Sequence, residues 1–237
     1  MELFYQPEGP RATSLSESES RHCLRVIRKK KGDAIQLVDG KGNFYRAMIS
    51  GTQDLVCSYE IIDHHPQPQT NYYIHLAIAP TKNKDRMEWL VEKAVEIGVD
   101  EFSFIHCQRS ERKRLDLTRM EKKAIMAMKQ SLSAFLPQIN PIISYPDFLN
   151  QLPKEYDRFI AHLPGDSQPL RNVIENNKRY CLLIGPEGGF TKDELSVAVD
   201  FGFQPVTLGK NRLRTETAAL IGCHTFHLEN NTYSENP

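Results

Sequence analysis

Four apolar residues, Cys181-Leu182-Leu183-Ile184, run directly into Gly185-Pro186-Glu187-Gly188-Gly189-Phe190, and Thr191-x-x-Glu194 follows at once. A short apolar run stopped by glycine reads as a buried strand. A threonine with glutamate three residues later is a capping box, which opens a helix, and Phe190 and Leu195 hold the staple positions around it. Strand, glycine loop and helix together constrain the fold to an open α/β sheet, in which ligands bind beyond the carboxyl ends of the strands. Glycines at that place let a ligand come close to the backbone.

The spacing narrows the ligand. It is not GxxxxGK[ST], and no Lys-Ser or Lys-Thr follows the last glycine, which excludes a P-loop; nor is it GxGxxG, which excludes an ordinary dinucleotide site. Glu187 inside the loop disfavours phosphate and suits hydroxyl or cationic groups. S-adenosylmethionine offers both, in its ribose and its sulfonium. The competing reading is a glycine turn that only redirects the chain. A second loop follows one helix and one strand later, Leu208-Gly209-Lys210-Asn211-Arg212-Leu213-Arg214, after a strand expected over 205–208. A helix expected from about Thr217 would bury Ala218, Ala219, Ile221 and Phe226. The two glycine-bearing loops are expected to form two walls of one cleft.

From Asn71 onward, strand and helix patterns alternate, which points to a parallel sheet covered by helices. Strands are expected over 72–79, 102–106 and 158–162. A helix is expected over 85–97, where Met87, Leu90, Val91, Ala94 and Ile97 keep helical spacing and Gly98 stops it. Met120, Ala124, Ala127, Met128 and Leu132 mark a second helix ending before Pro137, its methionines read as core, and another helix is expected around 170–176. The first 65 residues read differently. Short runs at 3–5, 34–38, 44–49 and 55–62, a Ser16-x-x-Glu19 capping box opening a helix through Val26, and the turn Asp39-Gly40-Lys41-Gly42 suggest a small, mostly antiparallel barrel or sheet. His64 to Thr70, rich in Pro and Gln, has linker composition. Two domains are therefore expected, residues 1–66 and 71–231.

The formal net charge is zero, so charge placement matters more than its sum. Arg21, Arg25, Arg28, Lys29, Lys30 and Lys31 lie together with no acid among them, Arg109, Arg112, Lys113 and Arg114 form a second cluster, and Lys210, Arg212 and Arg214 a third. Such clusters make phosphate-binding patches, although each alone also reads as a solvated face. Cys23, Cys57, Cys107, Cys181 and Cys223 form no CxxC pair and read as reduced, buried thiols of a cytosolic protein. His64 and His65 lack a second ligand pair at metal-site spacing, so no metal is expected. No apolar run approaches the ~20 residues that span a bilayer, and the start has no signal-peptide pattern.

GPEGGF followed by LGKNRLRTETAA resembles the C-terminal signature of the SPOUT-class methyltransferases, most closely the bacterial 16S rRNA uridine-N3 methyltransferase family. The likeness continues upstream in Lys84-Asp85-Arg86, in Lys93-Ala94-Val95-Glu96-Ile97-Gly98-Val99, in Gln130-Ser131 with Pro137, in His22-x-x-x-Val26-x-Arg28 and in Asp39-Gly40-x-Gly42. It covers nearly the whole chain in order. It implies an S-adenosylmethionine-dependent enzyme acting on 16S rRNA or the small ribosomal subunit. It also implies a SPOUT parallel sheet with a trefoil knot, a PUA-like N-terminal β-barrel for RNA, a homodimer and a cytoplasmic location. Carried over by position, the cofactor site comprises His162, Leu163, Ile184, Gly185, Pro186, Glu187, Gly188, Leu208, Gly209, Leu213, Arg214 and Thr215, with Leu183 as a further apolar wall. Glu216 and Glu187 are candidate bases for the uridine N3 proton, and Arg214 is the candidate to stabilise the uracil oxygens. Glu216 also reads as a carboxylate placed by the helix dipole. Arg21, Arg25, Arg28, Lys29, Lys30, Arg109 and Arg112 are the expected RNA contacts. The chain departs from the family at Lys129 and Ser133, where Glu and Arg are usual, so the role of that missing Arg would pass to Lys129 or Arg112. Two rivals stand beside this reading: a ribose 2′-O-methyltransferase of the same superfamily, and a non-catalytic RNA-binding assembly factor.

Overall fold

The computed structural model describes residues 2–162 and 167–231. The chain divides into two compact units, one built from residues 2–69 and 125–136, the other from 70–124 and 137–231.

In the first unit, β1 (Leu3–Tyr5) pairs parallel with β2 (Ala34–Val38) after α1 (Glu17–Arg21), and β3 (Asn43–Gly51) and β4 (Ser58–Pro66) continue the sheet antiparallel. Alternation in β3 buries Tyr45, Ala47 and Ile49 against Phe4, Leu37, Cys57 and Tyr59. The Ser16 hydroxyl caps α1 by accepting from the Glu19 N–H, but the Glu19 carboxylate does not close the box: it takes the Lys129 ammonium at 2.6 Å instead. Beyond α1 the chain runs on as a π-type turn, His22–Val26. The Asp39-Gly40-Lys41-Gly42 turn is used more fully than a hairpin needs. Gly40 and Gly42 lie at φ of 75° and 101°, and a Cβ on Gly42 would sit 2.7 Å from the Phe135 ring. That approach lets the Gly42 N–H donate to the Ala134 carbonyl at 2.8 Å and the Leu136 N–H to Gly40 at 2.9 Å. The stretch around Phe135 thereby belongs to this unit.

The linker expected to begin at His64 begins later. His64 and His65 are the last residues but one of β4, and His64 stacks on Tyr45 with ring centroids 5.0 Å apart. Polar residues form a strand here because β3 supplies ladder partners.

The second unit is a seven-stranded sheet in the order β7-β6-β5-β10-β8-β11-β9, with every neighbouring pair parallel. Its strands are β5 (Tyr73–Ile78), β6 (Glu101–His106), β7 (Gln138–Ser144), β8 (Tyr156–Ala161), β9 (Gln168–Pro169), β10 (Arg179–Ile184) and β11 (Gln204–Thr207). The helices are α2 (Lys84–Ile97), α4 (Tyr145–Gln151), α5 (Lys192–Asp200) and α6 (Thr215–Asn230), with the part of α3 (Leu117–Gln130) that precedes Ile125; the rest of α3 belongs to the first unit. Gly98 ends α2 at φ 100°, and Thr191 and Glu194 form the full capping box of α5. β10 is the central strand and is buried from Tyr180 to Ile184.

Some expected elements differ. Leu132 is not helical: α3 ends at Gln130, and Leu132 lies exposed at φ 55°. Met120, Ala124, Ala127 and Met128 are buried as expected. The helix expected over 170–176 is only the 3-10 turn Leu170–Asn172. β7 and α4 went unread because Pro141 interrupts the strand pattern, which is tolerated since β7 is an edge strand. α6 starts at Thr215 rather than Thr217, and buries Gly222 and Cys223 where Ile221 was expected; Ile221 faces outward.

Gly222 explains how α6 reaches the sheet. A Cβ there would lie 2.3 Å from Leu182 Cδ2, and Leu182 is fully buried. We expect Gly222→Val to destabilise the protein by about 1–3 kcal/mol through overpacking, read as a lower urea midpoint.

A buried histidine and a half-buried aspartate at the amino end of the sheet oppose each other. Burial pushes His75 down from 6.5 to about 4, so below 6.5 the unfolded chain gains a proton that the folded chain lacks, and stability falls. Burial pushes Asp100 up from 3.8 to about 6, so the folded chain is protonated first there, and stability rises as pH falls. Removing the first should expose the second. His75→Phe should gain stability relative to the parent protein as pH falls from 6.5 to about 4; urea unfolding at the two ends of that window measures it.

Candidate functional site

A cavity of about 730 Å³ opens at the carboxyl ends of β8, β10 and β11. Its volume lies within the range of roughly 300–1,000 Å³ typical of small-ligand sites. One wall is the loop after β10, with Ile184, Gly185, Pro186, Glu187 and Gly188, continued by Gly189 and Phe190. The other is the loop after β11 and the start of α6, with Leu208, Leu213, Arg214, Thr215 and Glu216. The two loops follow each other in the chain, but their strands are not neighbours: β8 lies between β10 and β11 and delivers Ala161 and His162 to the cavity. The His162 N–H donates to the Val206 carbonyl at 2.9 Å, and partial burial lowers its imidazole pKa.

Side chains and backbone tie the walls together. The Thr215 hydroxyl donates to the Gly185 carbonyl at 3.2 Å, and the Arg212 guanidinium donates to the Glu187 carbonyl at 3.0 Å. Gly185 is needed because an added Cβ would meet the Phe190 ring at 3.1 Å and the Phe190 backbone nitrogen at 3.2 Å. Gly188 admits Arg109, which donates to its carbonyl at 2.9 Å. Gly209 lies at φ 142° beside Thr207 and is not part of the cavity wall. Leu183 belongs to the sheet core on the α4–α5 side, not to the cavity, since alternate residues of a strand face opposite ways. Leu163 lies outside the described residues.

Four arginines and two glutamates surround this apolar-floored space. Glu216 is 6% exposed, and its Oε1 lies 3.6 Å from Arg86 Nε. Its Oε2 has no hydrogen-bond partner among the described residues. Glu187 is exposed, and its Oε1 already accepts from the Lys82 N–H at 3.0 Å. Arg214 is the N-cap residue of α6, exposed, and its side chain has no hydrogen bond or ion pair among the described residues. The helix N-terminus beside it adds positive potential.

The basic residues read from sequence separate. Arg109 reaches the cavity, whereas Arg112 donates to the carbonyls of Thr81 at 2.9 Å and of Lys82. In the first unit, Arg21, Arg25, Arg28 and Lys30 are exposed; Arg21 pairs with Glu17, and Lys29 donates to the Ala34 carbonyl. Lys129 is engaged with Glu19, so neither Lys129 nor Arg112 is free for the role of a missing arginine. Arg86 and Arg212 were not read as site residues. Arg86 follows a polar N-cap, Asn83, which places it in the first turn of α2, and only the fold shows that this turn faces Glu216.

Residues 68–227 match the model of an RNA methyltransferase domain, and residues 15–55 match that of an RNA methyltransferase PUA domain. The chain belongs to the RNA methyltransferase family. A probable rRNA-methyltransferase from Porphyromonas gingivalis shares its structure with a TM-score of 0.91 at 40% identity, covering 96% of this chain and 98% of that one. The ribosomal RNA small subunit methyltransferase E from Neisseria gonorrhoeae, solved bound to S-adenosyl methionine, gives 0.84 at 30% identity over 94% and 95%. The ribosomal RNA small subunit methyltransferase E of Mesomycoplasma hyopneumoniae is 31% identical over 84% of this chain and 86% of its own.

In this RNA methyltransferase, Arg86 is the only ion-pair partner of Glu216 among the described residues. Arg86→Ala would leave a buried carboxylate unpaired and should cost about 1–3 kcal/mol. Arg86→Ala combined with Glu216→Gln should recover most of that loss in urea unfolding; a double variant no better than the single one would show that the pair is not coupled.

Proposed function

We propose that this protein transfers the methyl group of S-adenosylmethionine to N3 of one uridine in 16S ribosomal RNA. The observation that carries this reading is the cavity itself: two glycine-bearing loops meet around it, and Glu216, a buried glutamate with one unpartnered oxygen among the described residues, lines it.

The residues present fit the cofactor. Ile184, Leu208 and Leu213 offer apolar surface, and backbone groups at His162, Gly185 to Gly188, Leu208, Arg212 and Leu213 are at hand to read an adenine edge and ribose hydroxyls. The start of α6 suits a carboxylate. When bound, S-adenosylmethionine supplies a methyl group activated on a sulfonium.

Uridine N3 carries a proton at neutral pH, so a base is needed. Glu216 Oε2 accepts that proton, and Arg86 holds the carboxylate through its other oxygen. The nitrogen lone pair is then free to take the methyl. Arg214, unpaired in the structure, stabilises negative charge on the uracil oxygens. Glu187 is the weaker candidate, because its carboxylate already accepts from Lys82. Positioning supplies much of the remaining rate.

The wider reading belongs to the same proposal. The first unit binds RNA through Arg21, Arg25, Arg28, Lys29 and Lys30, supported by the exposure of all but the half-buried Lys29 and by its PUA-type match. Arg109 serves RNA at the mouth of the cavity. A trefoil knot is supported by α6, which follows β11 yet packs on β10 beyond β8. A homodimer is supported by exposed Trp89 on α2 and exposed Ile221 and Leu228 on α6. Among the described residues no helix is long and apolar enough to cross a membrane; the cytoplasm is the place of work because ribosomal RNA is the substrate.

Glu216→Gln should lower turnover on 16S RNA by about 10²–10⁴-fold, the usual worth of a general base. Calorimetry should show S-adenosylmethionine binding unchanged within a few-fold. Nuclease digestion and mass analysis should place the methyl on the base. Methyl on ribose, or wild-type turnover in the variant, would overturn the assignment.

A further inference from the structure

Of the four arginines that line the cavity, Arg86 has Glu216 as its ion-pair partner and Arg214 opens α6. Arg109 and Arg212 have neither part, and both are held in the same way. Arg109 Nη1 donates to the Gly188 carbonyl at 2.9 Å, and Arg212 Nη2 donates to the Glu187 carbonyl at 3.0 Å. They follow strands on opposite sides of β10 in the sheet, Arg109 after β6 and Arg212 after β11. Their acceptors belong to successive residues, whose Cα atoms are about 3.8 Å apart. Both cations are thereby fixed to one short piece of the glycine loop.

The fixing is built in. Gly188 makes the room, since a Cβ there would meet Arg109 Cδ at 3.3 Å and its Cβ at 3.4 Å. The segment that carries Arg109 is itself tied: the Gln108 N–H donates to Glu194 Oε1 at 2.7 Å, and the Cys107 N–H to Ser110 Oγ at 3.0 Å. Neither charge is answered, however. Both arginines are exposed, and among the described residues neither side chain has an ion-pair partner or a second hydrogen bond. Of the two carboxylates on the cavity wall, Glu216 pairs with Arg86, and Glu187 accepts from the Lys82 N–H. A carbonyl takes one N–H and leaves the positive charge in place. Like charges held on one loop repel. A guanidinium offers five N–H groups in a planar fork, so four on each arginine remain for an anion.

The reaction supplies that anion. A base that enters the cavity must leave its stack, and its sugar keeps it joined to a phosphodiester on each side. Those charged groups cannot follow the uncharged ring onto the apolar surface of Ile184, Leu208 and Leu213 without a large desolvation cost. They stop at the exposed rim, where Arg109 and Arg212 stand. The fork of a guanidinium matches two oxygens of one phosphate. The cofactor's carboxylate is the other anion of the reaction, and the start of α6 suits it.

We propose, resting on the methyl-transfer reading, that Arg109 and Arg212 together bind the RNA backbone at the target nucleotide, each donating to phosphodiester oxygens. The loop that lines the cofactor cavity then also fixes the phosphates beside the reacting base. The test is binding to unmethylated small ribosomal subunits and to free 16S RNA, without cofactor, from about 50 to 200 mM salt. Arg109→Gln and Arg212→Gln should each weaken binding about tenfold at low salt. Each should also lower the slope of log affinity against log salt by about one. Arg212→Lys, which keeps the charge, should restore the slope. S-adenosylmethionine affinity, measured by calorimetry, should fall by less than RNA affinity in both Gln variants. The proposal is overturned if the parent protein binds neither RNA, if both Gln variants keep its affinity and slope, or if Arg212→Lys does no better than Arg212→Gln. An equal loss of S-adenosylmethionine affinity would also overturn it, by assigning the arginines to the cofactor's carboxylate or to the loop alone. The methyl-transfer reading fails separately, by absence of methyl incorporation when the parent protein receives cofactor and RNA.

Discussion

The contact on which the site depends is the approach of α6 to β10 at Gly222. A methyl group there would overlap Leu182 Cδ2, so any other residue would force the buried Leu182 side chain or the helix to move. That approach brings the first turn of α6 to the end of β10, where Thr215 reaches the Gly185 carbonyl. Without it, the loops after β10 and β11 would end on strands separated by β8, and their backbone groups would face solvent rather than one another. The cavity is thus a consequence of helix packing two turns away from it. It is not a property of either glycine loop alone.

Packing also accounts for the charge at the site. Glu216 lies in the first turn of α6, where the aligned peptide dipoles favour a carboxylate. The carboxylate is buried, and Arg86 Nε lies 3.6 Å from it. A surface pair at that distance would be worth about 0–1 kcal/mol. The same pair matters more when one partner is buried, because removing Arg86 exposes the desolvation cost of Glu216. Arg86 is 38% exposed at its side chain, so it can move toward a substrate without leaving water behind. An exposed arginine and a buried carboxylate make an asymmetric pair, with the carboxylate fixed and the arginine adjustable.

The parts of this design written in local chemistry were legible in the sequence. The run from Cys181 through the Thr191–Glu194 box contains its own strand, turn and cap, and α2 carries a periodic apolar face stopped by Gly98. Leu132 misled because it continues the spacing of Met120 and Met128, while the chain at that point turns to meet Gly40 and Gly42. Spacing cannot report such a tertiary override. β7 was illegible because its edge position tolerates Pro141. At the site, residues on the two loops were readable from motif. Arg86 and Arg212 were not, because their parts depend on which turns face each other across the cavity. Arg112 looked like a ligand for phosphate, yet it satisfies the carbonyls of Thr81 and Lys82 before α2 begins.

The two ends of one parallel sheet follow different rules. At the carboxyl end, the chain leaves the strands in loops, so glycine-rich backbone is available and the walls can be tuned without disturbing the core. At the amino end, His75 and Ser103 are buried from the third residue of their strands, so contacts there are made by side chains in register. His75, Glu101, Ser103 and Asn140 are such a set, and they satisfy one another through hydrogen bonds that an isolated histidine in that core could not have. Replacing the group by apolar residues would avoid the desolvation of Glu101 and would fit the surrounding aromatic packing. A fully satisfied network could be explained as a device for specifying strand order. Here the side chains are paired across three strands save at His75 Nδ1, and that pairing favours β5, β6 and β7 as neighbours.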